Sequence, residues 1–195
     1  MMITILIFGV IAYLIGSLSS AVIVCHFLNL PDPRTQGSMN PGATNVLRIG
    51  GKNAAIITLI GDVLKGFIPV LIGHLIGITG IMLGFIAFAA FLGHLFPVFF
   101  KFKGGKGVAT SFGALLALSP VVGITLAVIW GAVAAITRYS SLAALIAAVA
   151  APILILLFSQ PTYFFPVLAI TAILLWKHKE NIDRLRKGTE TKIQF

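Results

Sequence analysis

Almost the whole chain divides into apolar runs of about twenty residues, joined by short segments that are alternately basic and uncharged. A bilayer core of roughly 30 Å takes about 20 helical residues per crossing. The runs lie near 3–28, 54–77, 79–98, 105–118, 120–137, 140–158 and 162–177. They predict an all-α integral membrane protein with seven transmembrane helices, and they leave no room for a second domain beside a single polytopic unit over 1–195. Composition agrees: 58% hydrophobic and 10% charged residues, with a mean hydropathy of +1.07, exclude an ordinary soluble domain of 195 residues. The first run lacks a basic leader and is too long for the core of a signal peptide, so it reads as a span. The run from Gly105 to Leu118 is the shortest, and a re-entrant segment ending at Ser119-Pro120 is its alternative.

Charge orients the helices. The joining segments carry Arg34, Arg48 and Lys52, then none, then Lys101, Lys103 and Lys106, then none, then Arg138, then none, then the basic tail from Lys177. Seven crossings put all of these on one side, which the positive-inside rule makes cytoplasmic, with the N-terminus outside. Of fourteen Lys and Arg residues, only Lys65 then lies deep in a span. The net charge of +9 becomes a one-sided field, for which topology and anionic lipid headgroups are the plain explanation. No nucleic acid is expected as a partner. Cys25, the only cysteine, permits neither an internal disulfide nor a cysteine metal site.

Three segments on that side carry more than charge. Phe102-Lys103-Gly104-Gly105-Lys106-Gly107-Val108-Ala109-Thr110 is a glycine-rich turn leading into a helix, where backbone amides, a helix N-terminus and Lys106 suit an anion. It lacks the spacing and preceding strand of a nucleotide P-loop, and a flexible basic hinge is its alternative. The loop from Gly37 to Arg48 holds Ser38, Asn40, Thr44 and Asn45, which suit hydrogen bonding to a ligand and equally suit turns and caps. Arg48 adds a planar fork for phosphate or carboxylate. On the last helix, His178, Asn181 and Leu185 share a face. His178 and Asp183 also fit an H-x4-D pattern, but on a continuous helix they stand about 140° apart, so that match is coincidental. Within the membrane, Asp62 and Lys65 are expected to pair, with support of the site from below as the alternative. His94 and Pro97 are read as shaping the glycine-rich turn, and His26 and His74 as interfacial.

The chain resembles the bacterial acyl-phosphate-dependent glycerol-3-phosphate acyltransferases of the PlsY type. The resemblance rests on Gly37-Ser38-x-Asn40-x-Gly42-Ala43-Thr44-Asn45, Gly61-Asp62 with Lys65-Gly66, and Gly93-His94 through Pro97 to Thr110. It continues in His178, Asn181-Ile182 and Arg184-Leu185 before Gly188. Met39 stands where the family often has Gly, and Lys177 where an Arg often precedes the His.

The resemblance implies transfer of a fatty acyl group from acyl phosphate to the 1-hydroxyl of sn-glycerol 3-phosphate, giving lysophosphatidic acid and phosphate, the first acylation of phospholipid synthesis. It implies catalytic roles for Ser38, Lys106 and His178. Ser38, Arg48, Lys106, His178 and Asn181 would bind glycerol phosphate. Thr44, Asn45 and the backbone of Gly104, Gly105 and Gly107 would hold the acyl phosphate head, and Asn40 belongs to the same substrate-binding set. No cofactor or metal is expected: Asp32, Asp62 and Asp183 are too scattered for the divalent site of a CDP-alcohol phosphotransferase. The expected partners are the two substrates, membrane lipids and the soluble enzyme that makes acyl phosphate. The expected location is the bacterial inner membrane, with the active site on its cytoplasmic face. Residues alone also allow a transporter of phosphate esters or a structural lipid-binding protein.

Overall fold

The computed structural model describes residues 2–193; the outermost residues of the expected single unit, 1, 194 and 195, lie outside them. Its helices are α1 (Met2–Gly16), α2 (Ser20–Phe27), α3 (Ala43–Leu75), α4 (Gly80–Leu95), α5 (Val108–Leu118), α6 (Pro120–Thr137), α7 (Ser140–Phe158), α8 (Phe164–Lys177) and α9 (Lys179–Arg186). Short 3-10 turns precede the α5 loop at Val98–Phe100 and α8 at Pro161–Tyr163. Among the described residues there is no β-strand.

Five helical stretches are long and apolar enough to cross a membrane: Met2–Phe27, Ala43–Leu75, Gly80–Phe100, Pro120–Thr137 and Ser140–Phe158. Val108–Leu118 and Pro161–Lys177 are shorter apolar helices. The eleven residues of α5 rise roughly 16 Å, about half of a bilayer core. The same seven stretches expected from the sequence are therefore helical, with shifted ends.

Two shifts matter. The first run breaks at Ser17–Ser19, between α1 and α2, where the Leu18 carbonyl accepts a bond from Lys65 Nζ at 2.8 Å. The second run starts eleven residues earlier than expected, at Ala43, and bends at Gly51, whose φ of +77° lies in the left-handed region that favours glycine. The early start is held by packing: Val46 is buried against Ala21, Cys25 and Ala54.

The bundle exposes large apolar side chains such as Ile3, Leu6, Ile57 and Leu157, and buries smaller ones such as Ala12, Ala87, Ala90 and Ala114. Small residues permit the close backbone approach on which helix association in lipid depends. At Gly66 an added Cβ would lie 2.0 Å from the Thr110 carbonyl oxygen, and at Gly113 the same distance from that of Val63. α3 and α5 thus touch backbone to backbone, and α5 carries the glycine-rich turn at its N-terminus.

Candidate active site

Four segments meet at one end of the bundle. The start of α3 reaches the start of α7 through Thr44 Oγ1 and Ser140 Oγ, 3.1 Å apart. The glycine-rich turn reaches α9 through Lys106, whose ammonium donates to Asn181 Oδ1. The tail folds back over the same end: Ile193 N–H donates to the Arg138 carbonyl at 2.7 Å, and its side chain is buried with Ala134 and Ala143. The three polar segments singled out in the sequence are therefore adjacent, and the α6–α7 corner joins them.

The tail contributes a group that the sequence reading missed. Glu190 accepts bonds from Ser141 Oγ at 2.8 Å, Asn181 Nδ2 at 2.7 Å and Arg184 Nε at 2.6 Å. Burial alone would raise its pKa, but these three bonds and the Arg184 charge hold it below the usual glutamate range. The available signal was a lone carboxylate near the end of a basic tail.

Lys106 is half-buried, and its pKa is lowered by burial and by the Arg184 and Arg48 charges, against the pull of Glu190 and Glu180. Lys106, Arg48 and Arg184 thus lie within one another's fields, with Arg184 paired to Glu190, an arrangement that suits an anion. Arg48 is exposed at this end. His178 is buried where α8 gives way to α9, with φ −96° and ψ 8°, so the last helix is not continuous as expected. The turn nevertheless leaves His178 and Asn181 buried together beside Lys106, while Asp183 points to Lys187 at 2.9 Å. His178 Nδ1 lies 2.8 Å from the Leu174 carbonyl. A carbonyl only accepts, so Nδ1 carries the proton and Nε2 is free to accept. Burial and the Lys106 charge push the His178 pKa down to about 4, against the opposing effect of the Leu174 bond, so the ring is neutral near pH 7.

The first loop is organised by Asn45. Its Oδ1 accepts the Ser38 N–H at 2.8 Å, and its Nδ2 donates to the Pro33 and Gln36 carbonyls at 2.9 and 3.0 Å. Asn45 is fully buried, so its amide is committed to the loop and is not presented to a ligand. Ser38 is exposed, with only its backbone N–H engaged by this clasp. The Asn40 carbonyl accepts the Gly42 N–H at 2.9 Å in the turn before α3. Met39 has φ +54°, a conformation that Gly adopts freely and Met does not.

In the glycine-rich turn, the Gly105 N–H donates to the His94 carbonyl at 3.2 Å and is not free for an anion. Gly104 and Gly105 are packed against His94, and Gly107 (φ +86°) against Phe91. The glycines pack closely, but of their N–H groups only that of Gly105 is engaged; among the described residues, those of Gly104, Gly107 and the first turn of α5 make no hydrogen bond. Cys25 is buried between α2 and α3, and His26 and His74 are exposed. Among the described residues no three His, Cys, Asp or Glu side chains come together as metal ligands.

A family model described as glycerol-3-phosphate acyltransferase matches residues 6–188. The chain belongs to this family. Glycerol-3-phosphate acyltransferase from Coxiella burnetii (strain Dugway 5J108-111) is 55% identical over 186 residues, covering 95% of this chain and 96% of the relative. That from Thioalkalivibrio sulfidiphilus is 52% identical, covering 93% and 90% of the two chains. The crystal structure of PlsY (YgiH), an integral membrane glycerol 3-phosphate acyltransferase, in its glycerol 3-phosphate form superposes with a TM-score of 0.92 at 38% identity, covering 98% of this chain and 96% of that one. The lysophosphatidic acid form gives 0.89 at the same 38% identity. As a member of the PlsY family, the chain is a multi-pass membrane acyltransferase.

Proposed function

We propose that this acyltransferase moves a fatty acyl group from acyl phosphate to the 1-hydroxyl of sn-glycerol 3-phosphate, releasing lysophosphatidic acid and phosphate. The observation that carries the proposal is the convergence of Lys106, Arg48, His178 and Asn181 at one end of an apolar bundle. The likeness to PlsY in a glycerol 3-phosphate form supports it. A small dianion arrives from water and a long acyl tail from lipid, and a basic pocket above greasy helices accommodates both. In this reading the chain crosses the bacterial inner membrane seven times, with α5 and its glycine-rich turn together making the shortest crossing, the N-terminus is outside, and the site faces the cytoplasm, an orientation the one-sided charge supports.

Ser38, Arg48, Lys106, His178 and Asn181 bind glycerol phosphate. Thr44, the Gly104 and Gly107 amides and the first amides of α5 hold the acyl phosphate head, with Gly105 fixing the turn that presents them. Asn45 acts one step back, by ordering the loop that carries Ser38, and Asn40 stays in the substrate-binding set. The hydroxyl oxygen of glycerol phosphate attacks the acyl carbonyl directly, and the carbonyl–phosphate bond breaks. No acyl-enzyme is needed, because a mixed anhydride already carries a good leaving group.

A phosphate monoester has a second pKa near 6, whereas His178 sits at about 4. This order favours the substrate phosphate as the group that takes the 1-hydroxyl proton, and leaves His178 Nε2 as an acceptor for the other hydroxyl of glycerol phosphate. Lys106 and the α5 amides stabilise the charge that develops on the carbonyl oxygen and the departing phosphate.

The test is purified protein in lipid with glycerol 3-phosphate and, in turn, acyl phosphate, acyl-CoA or acyl-carrier protein. Lysophosphatidic acid forms only with acyl phosphate; formation from another donor instead, or counterflow of glycerol phosphate without acylation, refutes the reading.

A further inference from the structure

A second polar cluster lies inside the bundle, below the site. Asp62 and Lys65 on α3 are 2% and 5% exposed, and they pair at 2.8 Å. Lys65 also donates to the Leu18 carbonyl, tying α3 to the break between α1 and α2. His94, in the last turn of α4, places Nδ1 3.7 Å from the Asp62 carboxylate. Ionisable groups this deep in an apolar bundle are expensive and persist only where they are paired. Lys65 thus ties two stretches of chain together beside the carboxylate, and the His94 ring of a third lies against it without a hydrogen bond.

The upper edge of this cluster is the glycine-rich turn. Gly105 N–H donates to the His94 carbonyl at 3.2 Å. A Cβ at Gly105 would lie 2.3 Å from His94 Nε2 and 3.1 Å from the Pro41 carbonyl oxygen, and one at Gly104 would lie 2.0 Å from the His94 carbonyl oxygen. The turn therefore rests on His94 twice, through ring and backbone. Pro41 of the first loop closes over the other side of Gly105.

Resting on the acyl phosphate reading above, we propose that Asp62, Lys65 and His94 are positioning residues for that turn. The ion pair fixes the imidazole, and the imidazole and its carbonyl fix Gly104 and Gly105. The first amides of α5 inherit that placement, whereas Lys106 is held separately by its bond to Asn181 on α9. None of the three touches substrate; they act on the acyl phosphate subsite through the turn. A purely architectural ion pair would hold helices together and leave donor affinity alone.

The test uses the full-length protein in lipid nanodiscs carrying His94→Ala, Asp62→Asn, both together, Gly105→Ala, and Gly105→Ala with His94→Ala. Misplacing a binding group by about 1 Å can cost on the order of 10²-fold, and a smaller shift of the turn correspondingly less. His94→Ala and Asp62→Asn each raise KM for acyl phosphate by roughly tenfold, while KM for glycerol 3-phosphate stays within about twofold. Because both act through one contact, the double variant is within about twofold of His94→Ala. Gly105→Ala loses activity, and His94→Ala partly restores it by making room for the methyl group. Amide exchange across 100–108, measured without substrate, accelerates in His94→Ala and Asp62→Asn.

Equal shifts in both KM values, multiplying effects in the double variant, or a lower unfolding temperature with unchanged exchange at 100–108 would each overturn the proposal. Should Asp62→Asn not fold, Asp62→Glu and the Gly105/His94 pair still decide it. Should the wild type reject acyl phosphate, the donor reading fails, and the exchange data alone decide whether the cluster positions the turn.

Discussion

The ammonium of Lys106 donates to the side-chain carbonyl of Asn181, 75 positions further along the chain. This bond joins the turn before α5 to the start of α9, and the Asn181 amide in turn reaches Glu190 at 2.7 Å. A cation, an amide and a carboxylate thus form one relay across the mouth of the site.

Lys106→Ala removes the cation at the centre of that relay. Turnover falls by at least about 10²-fold, the loss typical of a group that stabilises developing charge. Lys106→Arg restores little, because a planar fork on a longer stem does not replace a compact ammonium. Lysophosphatidic acid formation at saturating substrates measures both.

Glu190→Gln keeps an oxygen for Asn181 but leaves Arg184 without its counter-charge. Removing one partner of a buried polar group costs about 1–3 kcal/mol. Stability falls by that order, and KM for glycerol 3-phosphate rises because Asn181 is less well held. Chemical unfolding in detergent and a substrate titration read the two effects separately.

His178 gives a pH signature. An unfolded histidine binds a proton below about pH 6.5, whereas the folded one resists protonation down to about 4. The unfolded state binds more protons in that window, so stability drops as pH falls from about 6.5 to about 4. His178→Gln flattens this loss in thermal unfolding. It retains measurable turnover, and its acid limb stays near pH 6, the second pKa of the substrate phosphate. An acid limb that moves with this substitution would return the proton to the imidazole.

Met39 holds a left-handed backbone conformation at φ +54°, which costs a residue with a Cβ roughly 1–2 kcal/mol. Met39→Gly relieves that strain and loses part of the gain to its freer unfolded chain, so stability changes by less than about 1 kcal/mol and activity stays within about twofold. Met39→Ile, β-branched and poorly suited to this conformation, lowers both. Unfolding curves and initial rates of the two variants make the comparison.

The helices were legible because lipid imposes a length and a composition on anything that crosses it. The convergence of the basic segments was legible because one-sided charge confines them to one face. What eluded the sequence depended on distant partners. The break after Gly16 falls at Ser17, Ser19 and Ser20, small residues that a membrane helix also tolerates, so only the Leu18 carbonyl turned to Lys65 distinguishes it. The early start of α3 reads as a polar loop until Val46 is seen packed against α2. Asn45 resembles a ligand contact by residue type, yet its bonds close a loop instead. Gly105 resembles an anion cradle, yet its amide is spent on His94. Glu190 stood unremarked in a basic tail that charge counting had assigned to topology.

The tail that folds over the site also sets an order on biosynthesis. A chain emerges N-terminus first and folds as it appears, so the apolar helices are already assembled while residues 178–193 are still being made. Until Glu190 secures Asn181 and Ile193 seats against Arg138, the growing polypeptide is a membrane bundle with an incomplete pocket. A product truncated within that stretch occupies the bilayer without the complete site, so the codons for residues 178–193 decide whether a synthesised copy can act.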